Sequence, residues 1–157
     1  IMHAACERRI RGMFIEGENP AMSDPDLSHA RKALASLSHL VVQDIFPTET
    51  SILADVILPG SAFAEKWGTV TNTDRLIQLG RPALGPPGEA KQDLWIIEQL
   101  GRRLGLPWTY WKPGDGDGHA AAEAPVAHVY EEMRTTMAPL AGVPARCRPP
   151  SSGRSAS

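Results

Sequence analysis

Apolar positions along the chain gather in short unbroken runs, separated by stretches with helical spacing. Met13, Phe14 and Ile15 lie in the first run, residues 12–16, the length of a short buried strand. The run breaks at Gly17-Glu-Asn-Pro20. Asp24-Pro25 follows, the order of a helix N-cap and its first residue. Leu27, Ala30, Leu34 and Leu37 then share one face over residues 25–37, with Arg31 and Lys32 turned away, which predicts an amphipathic helix. Leu40-Val41-Val42 is a second apolar run, ending at Gln43-Asp44. Residues 48–54 read as a short helix capped by Thr48, and residues 55–59 as a third run, stopped by Pro59-Gly60. Short runs alternating with helices predict an α/β fold with parallel strands and right-handed crossovers. Because the runs are continuous rather than alternating, the strands are expected to be covered on both faces.

The pattern changes outside this unit. Residues 2–10 have the spacing of a helix. Residues 68–73 and 76–80 read as two extended segments around a turn at 72–75. Asp93 reads as the N-cap of a helix from Leu94 to about Leu104, with Leu94, Ile97, Leu100 and Leu104 as the buried face and Gly105 as terminator. Residues 112–120 are rich in Gly and Asp and read as a flexible loop. Residues 126–137 read as a last helix. From Gly142 onward there is no apolar period, so the expected division is a domain over 1–141 and a disordered tail over 142–157.

Composition narrows the classes. A chain of 157 residues with 42% hydrophobic content is long enough for one domain with a core. A net charge of −2 gives no reason to expect nucleic acid, and no apolar run approaches the roughly 18 residues of a membrane span. The first residues look like an amphipathic helix rather than a signal peptide, and a start at Ile1 suggests a piece of a longer protein. Cys6 and Cys147 are far apart with no CxxC, and two lone thiols suit a reducing compartment, so a cytoplasmic location is expected. The five histidines show no ligand spacing, so no metal site is assigned.

In an open parallel sheet, ligands bind beyond the carboxyl ends of the strands. Here the first strand is followed by Gly17, Glu18, Asn19, Pro20 and Ser23. The second ends in Gln43 and Asp44, with Thr48 close behind, and the third in Pro59, Gly60 and Ser61. Convergence of these ends would place backbone N–H groups, amides and carboxylates around one crevice. Each residue also has a plain structural use. Gly17 and Pro20 suit a turn, Asn19 and Ser23 suit capping, Asp93 is a good N-cap, and the paired Trp108 and Trp111 suit edge packing. No GxGxxG, GxxxxGK[ST] or GxSxG is present, and no nucleophile–base pair stands out, so no catalytic residue is assigned.

Five segments together carry a family resemblance: Gly17-Glu-Asn-Pro-Ala-Met-Ser-Asp-Pro-Asp26, Val41-Val-Gln-Asp-Ile-Phe-Pro-Thr-Glu-Thr50, Ala54-Asp-Val-Ile-Leu-Pro59, Glu65-Lys-Trp-Gly-Thr-Val-Thr-Asn-Thr-Asp-Arg75 and Gln92-Asp-Leu-Trp-Ile-Ile97. They resemble the catalytic alpha subunit of molybdenum- or tungsten-dependent formate dehydrogenase, in the dimethyl sulfoxide reductase superfamily, over residues 1 to about 140. The resemblance implies a Rossmann-like domain that holds one of two bis-molybdopterin guanine dinucleotide cofactors. Asn19 and Ser23 would face the dinucleotide from the first loop, Gln43 and Asp44 from the second, Gly60 from the third, and Asp93 from the later helix start. It also implies formate as substrate and partner subunits with iron–sulfur clusters and flavin that pass electrons to NAD. The metal ligand and the iron–sulfur cysteines would lie upstream and a second pterin-binding barrel downstream, so the segment alone is expected to be inactive. Two alternatives fit the same segments: a nitrate reductase-like molybdoenzyme, and a non-catalytic module like the matching part of a complex I subunit.

Overall fold

A computed structural model of the chain describes residues 1–118 and 123–143. Its element order is α1 (Met2–Cys6), β1 (Gly12–Glu16), α2 (Pro20–Ser23), α3 (Leu27–Ala35), β2 (His39–Asp44), β3 (Val56–Pro59), β4 (Gly68–Thr71), β5 (Ile77–Gly80), α4 (Asp93–Arg103) and α5 (Glu123–Thr136). The three apolar runs pair in parallel in the order β1-β2-β3. Glu16 lies opposite Gln43, and Gln43 opposite Leu58, so the three carboxyl ends fall on one side. The pairing continues past the strand ends through Gly17 N–H to Gln43 O and Gly60 N–H to Asp44 O, both 2.9 Å.

The core forms where α3 and α1 meet this sheet. Ile15, Leu40 and Val42 from the strands pack with Ala21 and Leu34, and Met2, Met13, Leu37 and Ala54 close the margins. Leu34 and Leu40 are buried to 1% exposure. Full burial of such a side chain contributes about 2 kcal/mol. Small residues let α3 approach closely, since Ala30 and Ala33 are both fully buried.

Several local expectations are corrected. The first helix stops at Cys6, followed by a turn in which Arg8 takes φ of 57°. Asp24-Pro25 does not start the long helix. Pro20 opens the separate four-residue α2, and Asp26 is the true cap of α3, its side chain accepting from His29 N–H. Asp24 instead accepts from Asp26 N–H at 3.0 Å, an Asx turn leading into that cap. The helix expected over 48–54 is a single 3-10 turn, Ser51–Leu53, although Thr48 Oγ1 does accept from Ser51 N–H at 3.2 Å. Coverage on both faces fails on the two outer strands, where Phe14 of β1 is 37% exposed and Val56 and Ile57 of β3 are 39% and 51% exposed.

Beyond the sheet, β4 and β5 form an antiparallel hairpin around Asn72–Arg75, as the pattern predicts. Asn72 Oδ1 accepts from Leu76 N–H, and Arg75 takes φ of 68°. The buried face of α4 is not the leucine stripe. Ile96, Glu98 and Gly101 are buried, while Leu100 and Leu104 are 40% and 72% exposed. The reason is a strap of chain, residues 108–111, laid over the helix. Trp108 packs on Gly101, where an added Cβ would meet its ring at 2.2 Å. Glu98 accepts from Trp111 N–H at 2.9 Å and pairs with Arg102. The loop read as flexible is anchored over 112–118: Gly118 O accepts from Gln92 N–H and Lys91 pairs with Asp117. Of the tail expected over 142–157, residues 144–157 lie outside the described residues, and Val143 N–H donates to Leu140 O.

Candidate functional site

The sheet ends where the sequence changes from apolar to polar, so its edge carries side chains that need partners. Gln43, at the penultimate position of central β2, is 1% exposed. Its Nε2 donates to Asp93 Oδ1 at 2.7 Å, and its Oε1 is buried with no hydrogen-bond partner. Asp93 reaches this place because Gly60 pairs with Lys91 in a parallel bridge that continues the sheet by one rung. Lys91 N–H donates to Pro59 O, and Ser61 N–H to Lys91 O. Helix α4 then starts directly against the end of β2.

Asp93 is therefore not a cap. Gln92 occupies that position, and no side chain caps the helix there. The Asp93 carboxylate turns to the sheet instead, with Oδ1 on Gln43 and Oδ2 on the Lys66 ammonium. Gly60 is what allows this: a Cβ at residue 60 would lie 2.9 Å from Asp93 Oδ1 and 3.7 Å from Gln43 Cγ. Glu16 completes the cluster from the end of β1, with Gln43 Nε2 at 3.5 Å. Burial pushes the Glu16 carboxyl above its ordinary value of 4.5; the Asp93 charge raises it further and Lys66 opposes both.

A second polar group ties the first loop to the second. Asn19 Oδ1 accepts from Thr50 N–H at 3.1 Å and from Thr50 Oγ1 at 2.8 Å, and its Nδ2 donates to Glu49 at 2.6 Å. Thr50 Oγ1 accepts in turn from Ala21 N–H. That bond to Asn19 holds the Glu49 carboxyl below its usual range. Thr48 is engaged with Ser51, whose Oγ donates to Thr48 O.

The ten candidate positions thus divide. Gln43, Gly60 and Asp93 meet in one cluster. Asn19 ties the first loop to the second, Thr48 bonds within its own turn to Ser51, and Pro20 opens α2. Asp44 accepts from its neighbour Ile45 N–H and lends its carbonyl to Gly60. Gly17, with φ of 62°, Glu18 and Ser23 are exposed at the rim. Sequence reasoning missed Glu16 and Lys66. Lys66 stands inside one of the recognised segments, but nothing in the spacing sets it against a residue 27 positions later. A cleft of about 260 Å³ opens beside the cluster, lined by Lys66, Trp67, Thr69, Gln92 and Asp93 on one side and by Val126, Val129 and Met133 of α5 on the other.

Whether a nucleotide fits can be judged from these atoms. The cluster holds a carboxylate and an unpaired amide carbonyl as acceptors, beside a lysine, with Gly60 making room for the carboxylate. Each carboxylate oxygen has a second lone-pair site after the bond it already makes. These acceptors suit a base edge bearing N–H groups, with phosphate near the cation.

Three parallel strands flanked by helices, with polar side chains gathered at their carboxyl ends, define a Rossmann-like α/β domain. Residues 1–103 match the molybdopterin oxidoreductase family, and the chain belongs to that family. It is 57% identical over 98 residues to the F420-dependent formate dehydrogenase subunit alpha of Methanocaldococcus jannaschii, covering 62% of this chain and 15% of that protein. It is 40% identical over 108 residues to formate dehydrogenase H of Escherichia coli, covering 69% and 15%. Among solved structures, acetylene hydratase from Pelobacter acetylenicus matches with a TM-score of 0.59 and 26% identity, over 67% of this chain and 15% of that one. The chain thus spans about 15% of the length of these relatives. No helix among the described residues is long and apolar enough to cross a membrane.

Proposed function

We propose that this chain is the domain of a formate dehydrogenase alpha subunit that holds the nucleotide end of a molybdopterin guanine dinucleotide. One observation carries the reading: buried Gln43 holds the half-buried Asp93 carboxylate at the carboxyl end of the sheet, with Gln43 Oε1 still unpaired. Asp93 and Gln43 accept from the base edge, Gly60 leaves room for the Asp93 carboxylate to take its place, and the exposed loop at Gly17, Glu18 and Ser23 borders the remainder of the dinucleotide. The names of the relatives supply formate as the substrate.

The whole enzyme converts formate to carbon dioxide, one proton and two electrons, and the metal-bound pterin supplies the electron-accepting centre when bound. Iron–sulfur clusters elsewhere in the protein carry the electrons on to NAD. The M. jannaschii relative is named for F420 instead, and assays of the whole enzyme with each acceptor decide between them. The contribution of this chain's residues is to orient the cofactor and shield its base from water. The domain extends over 1–141 in this reading.

Calorimetric titration of the protein with guanosine, adenosine and GDP tests the proposal. Guanosine should bind and adenosine, whose edge presents the wrong donors, should not. Equal binding of the two, or none, would remove the guanine assignment.

A further inference from the structure

We infer that Lys66 is a switching residue of this nucleotide site: it neutralises Asp93 before ligand binds and moves to the ligand's phosphate when the base takes Asp93. The inference rests on the guanine-nucleotide reading above and extends it to a residue which that reading does not use.

The geometry supplies the elements of such an exchange. Lys66 comes from outside the parallel sheet, just after the 3-10 turn Phe63–Glu65, so its side chain reaches Asp93 across the cleft rather than along a shared strand. The two side chains are 29% and 27% exposed, and both line the cleft, so an entering ligand meets the ion pair directly. Asp93 also sits close enough to Glu16 to raise its carboxyl, while Lys66 lowers it. Two carboxylates at the end of one sheet need a donor at all times. Beside the Gln43 amide, Lys66 is the charged donor that meets Asp93 in the structure. Base N–H groups replace it once they reach Asp93, and the released ammonium remains beside a ligand that carries negative charge. An ammonium is a point charge with rotatable donors, which suits a phosphate approached from varied directions. Gln43 keeps Asp93 Oδ1 oriented throughout, because its bond does not involve the oxygen that Lys66 holds.

The exchange predicts opposite effects on two ligands. In Lys66→Met the competitor for Asp93 is gone, so guanosine, which lacks phosphate, should bind about fivefold more tightly. GDP should bind about tenfold more weakly, through loss of its phosphate contact. Titrations of the wild-type chain and of Lys66→Met with both ligands, beside melting temperatures, read this directly. Lys66→Gln serves the same comparison if the Met variant melts early. The wild type provides a measurement independent of any variant: its preference for GDP over guanosine should shrink as salt rises. A variant that shifts both ligands in the same direction by the same factor overturns the switch while leaving the guanine reading intact. A wild type with no preference for GDP does the same. Failure of the wild type to bind either ligand overturns the reading and the switch together.

Discussion

Gln43 donates Nε2–H to Asp93 Oδ1 at 2.7 Å, joining the end of the central strand to the first residue of a helix fifty positions later. The bond turns Asp93 away from capping and leaves Gln43 Oε1 unpaired beside it. Sheet end and helix start meet through this contact, and Asp93 also lines the neighbouring cleft.

Asp93→Asn should separate folding from binding. Gln43 can reverse its amide so that Oε1 accepts from the new N–H₂, and the loss in stability should stay near 1 kcal/mol. Guanosine affinity should fall by roughly tenfold or more, since an N–H₂ group now faces a donor edge. Thermal unfolding beside calorimetry checks both halves. Unchanged affinity would remove Asp93 from the site.

Gly60→Ala places a methyl 2.9 Å from Asp93 Oδ1. That oxygen is the end of a side chain and can swing aside, so the fold should lose only about 1 kcal/mol, the worth of the Gln43 bond. Ligand binding should drop about tenfold. A variant with wild-type affinity would show that the close approach at Gly60 is incidental.

Asn19→Ala is expected to act on stability first. Thr50 is fully buried, and the change strips the acceptor from both its N–H and its hydroxyl. A loss of about 2 kcal/mol should follow. Asn19→Asp keeps that acceptor but faces Glu49, so its smaller loss should diminish in high salt. Chemical denaturation at two salt concentrations distinguishes the variants.

The Glu16 carboxyl titrates above 4.5 in the folded protein, so the folded state holds this proton more tightly than the unfolded chain. Its contribution is therefore most favourable at low pH and is lost as pH rises from about 4.5 through the raised folded value. Glu16→Gln should abolish that decline, and Lys66→Met should steepen it, because Lys66 is the group that opposes the rise. Denaturation curves across this pH window measure both slopes.

Arg102→Met removes the cation paired with fully buried Glu98. An unpaired buried carboxylate costs about 3–5 kcal/mol, and the strap at 108–111 should detach with it. Glu98→Gln can still accept from Trp111 N–H and should cost less. Near-ultraviolet circular dichroism of the tryptophans reports the strap, and an unchanged Arg102→Met spectrum would contradict this account.

The parallel unit was legible because its three strands and the body of α3 declare themselves locally. Met13–Ile15 and Leu40–Val42 have no polar interruption, and α3 repeats its apolar face in helical register. Local spacing failed wherever a distant partner decided the outcome. Asp93 looks like a cap until Gln43 and Lys66 are placed beside it. Leu100 and Leu104 have ideal helical spacing, yet Trp108 and Trp111 arrive on the other face and bury Glu98 and Gly101 instead. Asn19 was recognised as important at its loop, but the sequence could not show that Thr50 and Glu49 occupy its polar atoms.

The bridge between Gly60 and Lys91 also has a consequence for the order of assembly during synthesis. The three parallel strands are consecutive in the chain and pair as neighbours, so this sheet can form while the ribosome is still producing later residues. Asp93 arrives only after the hairpin has been made, and the rung at Lys91 is what fastens it to the finished sheet. A nascent chain that ends before this rung has the three-stranded sheet but lacks the Asp93 carboxylate at its end. If Asp93 receives the base as proposed, only chains already extended past the start of α4 could take up the nucleotide.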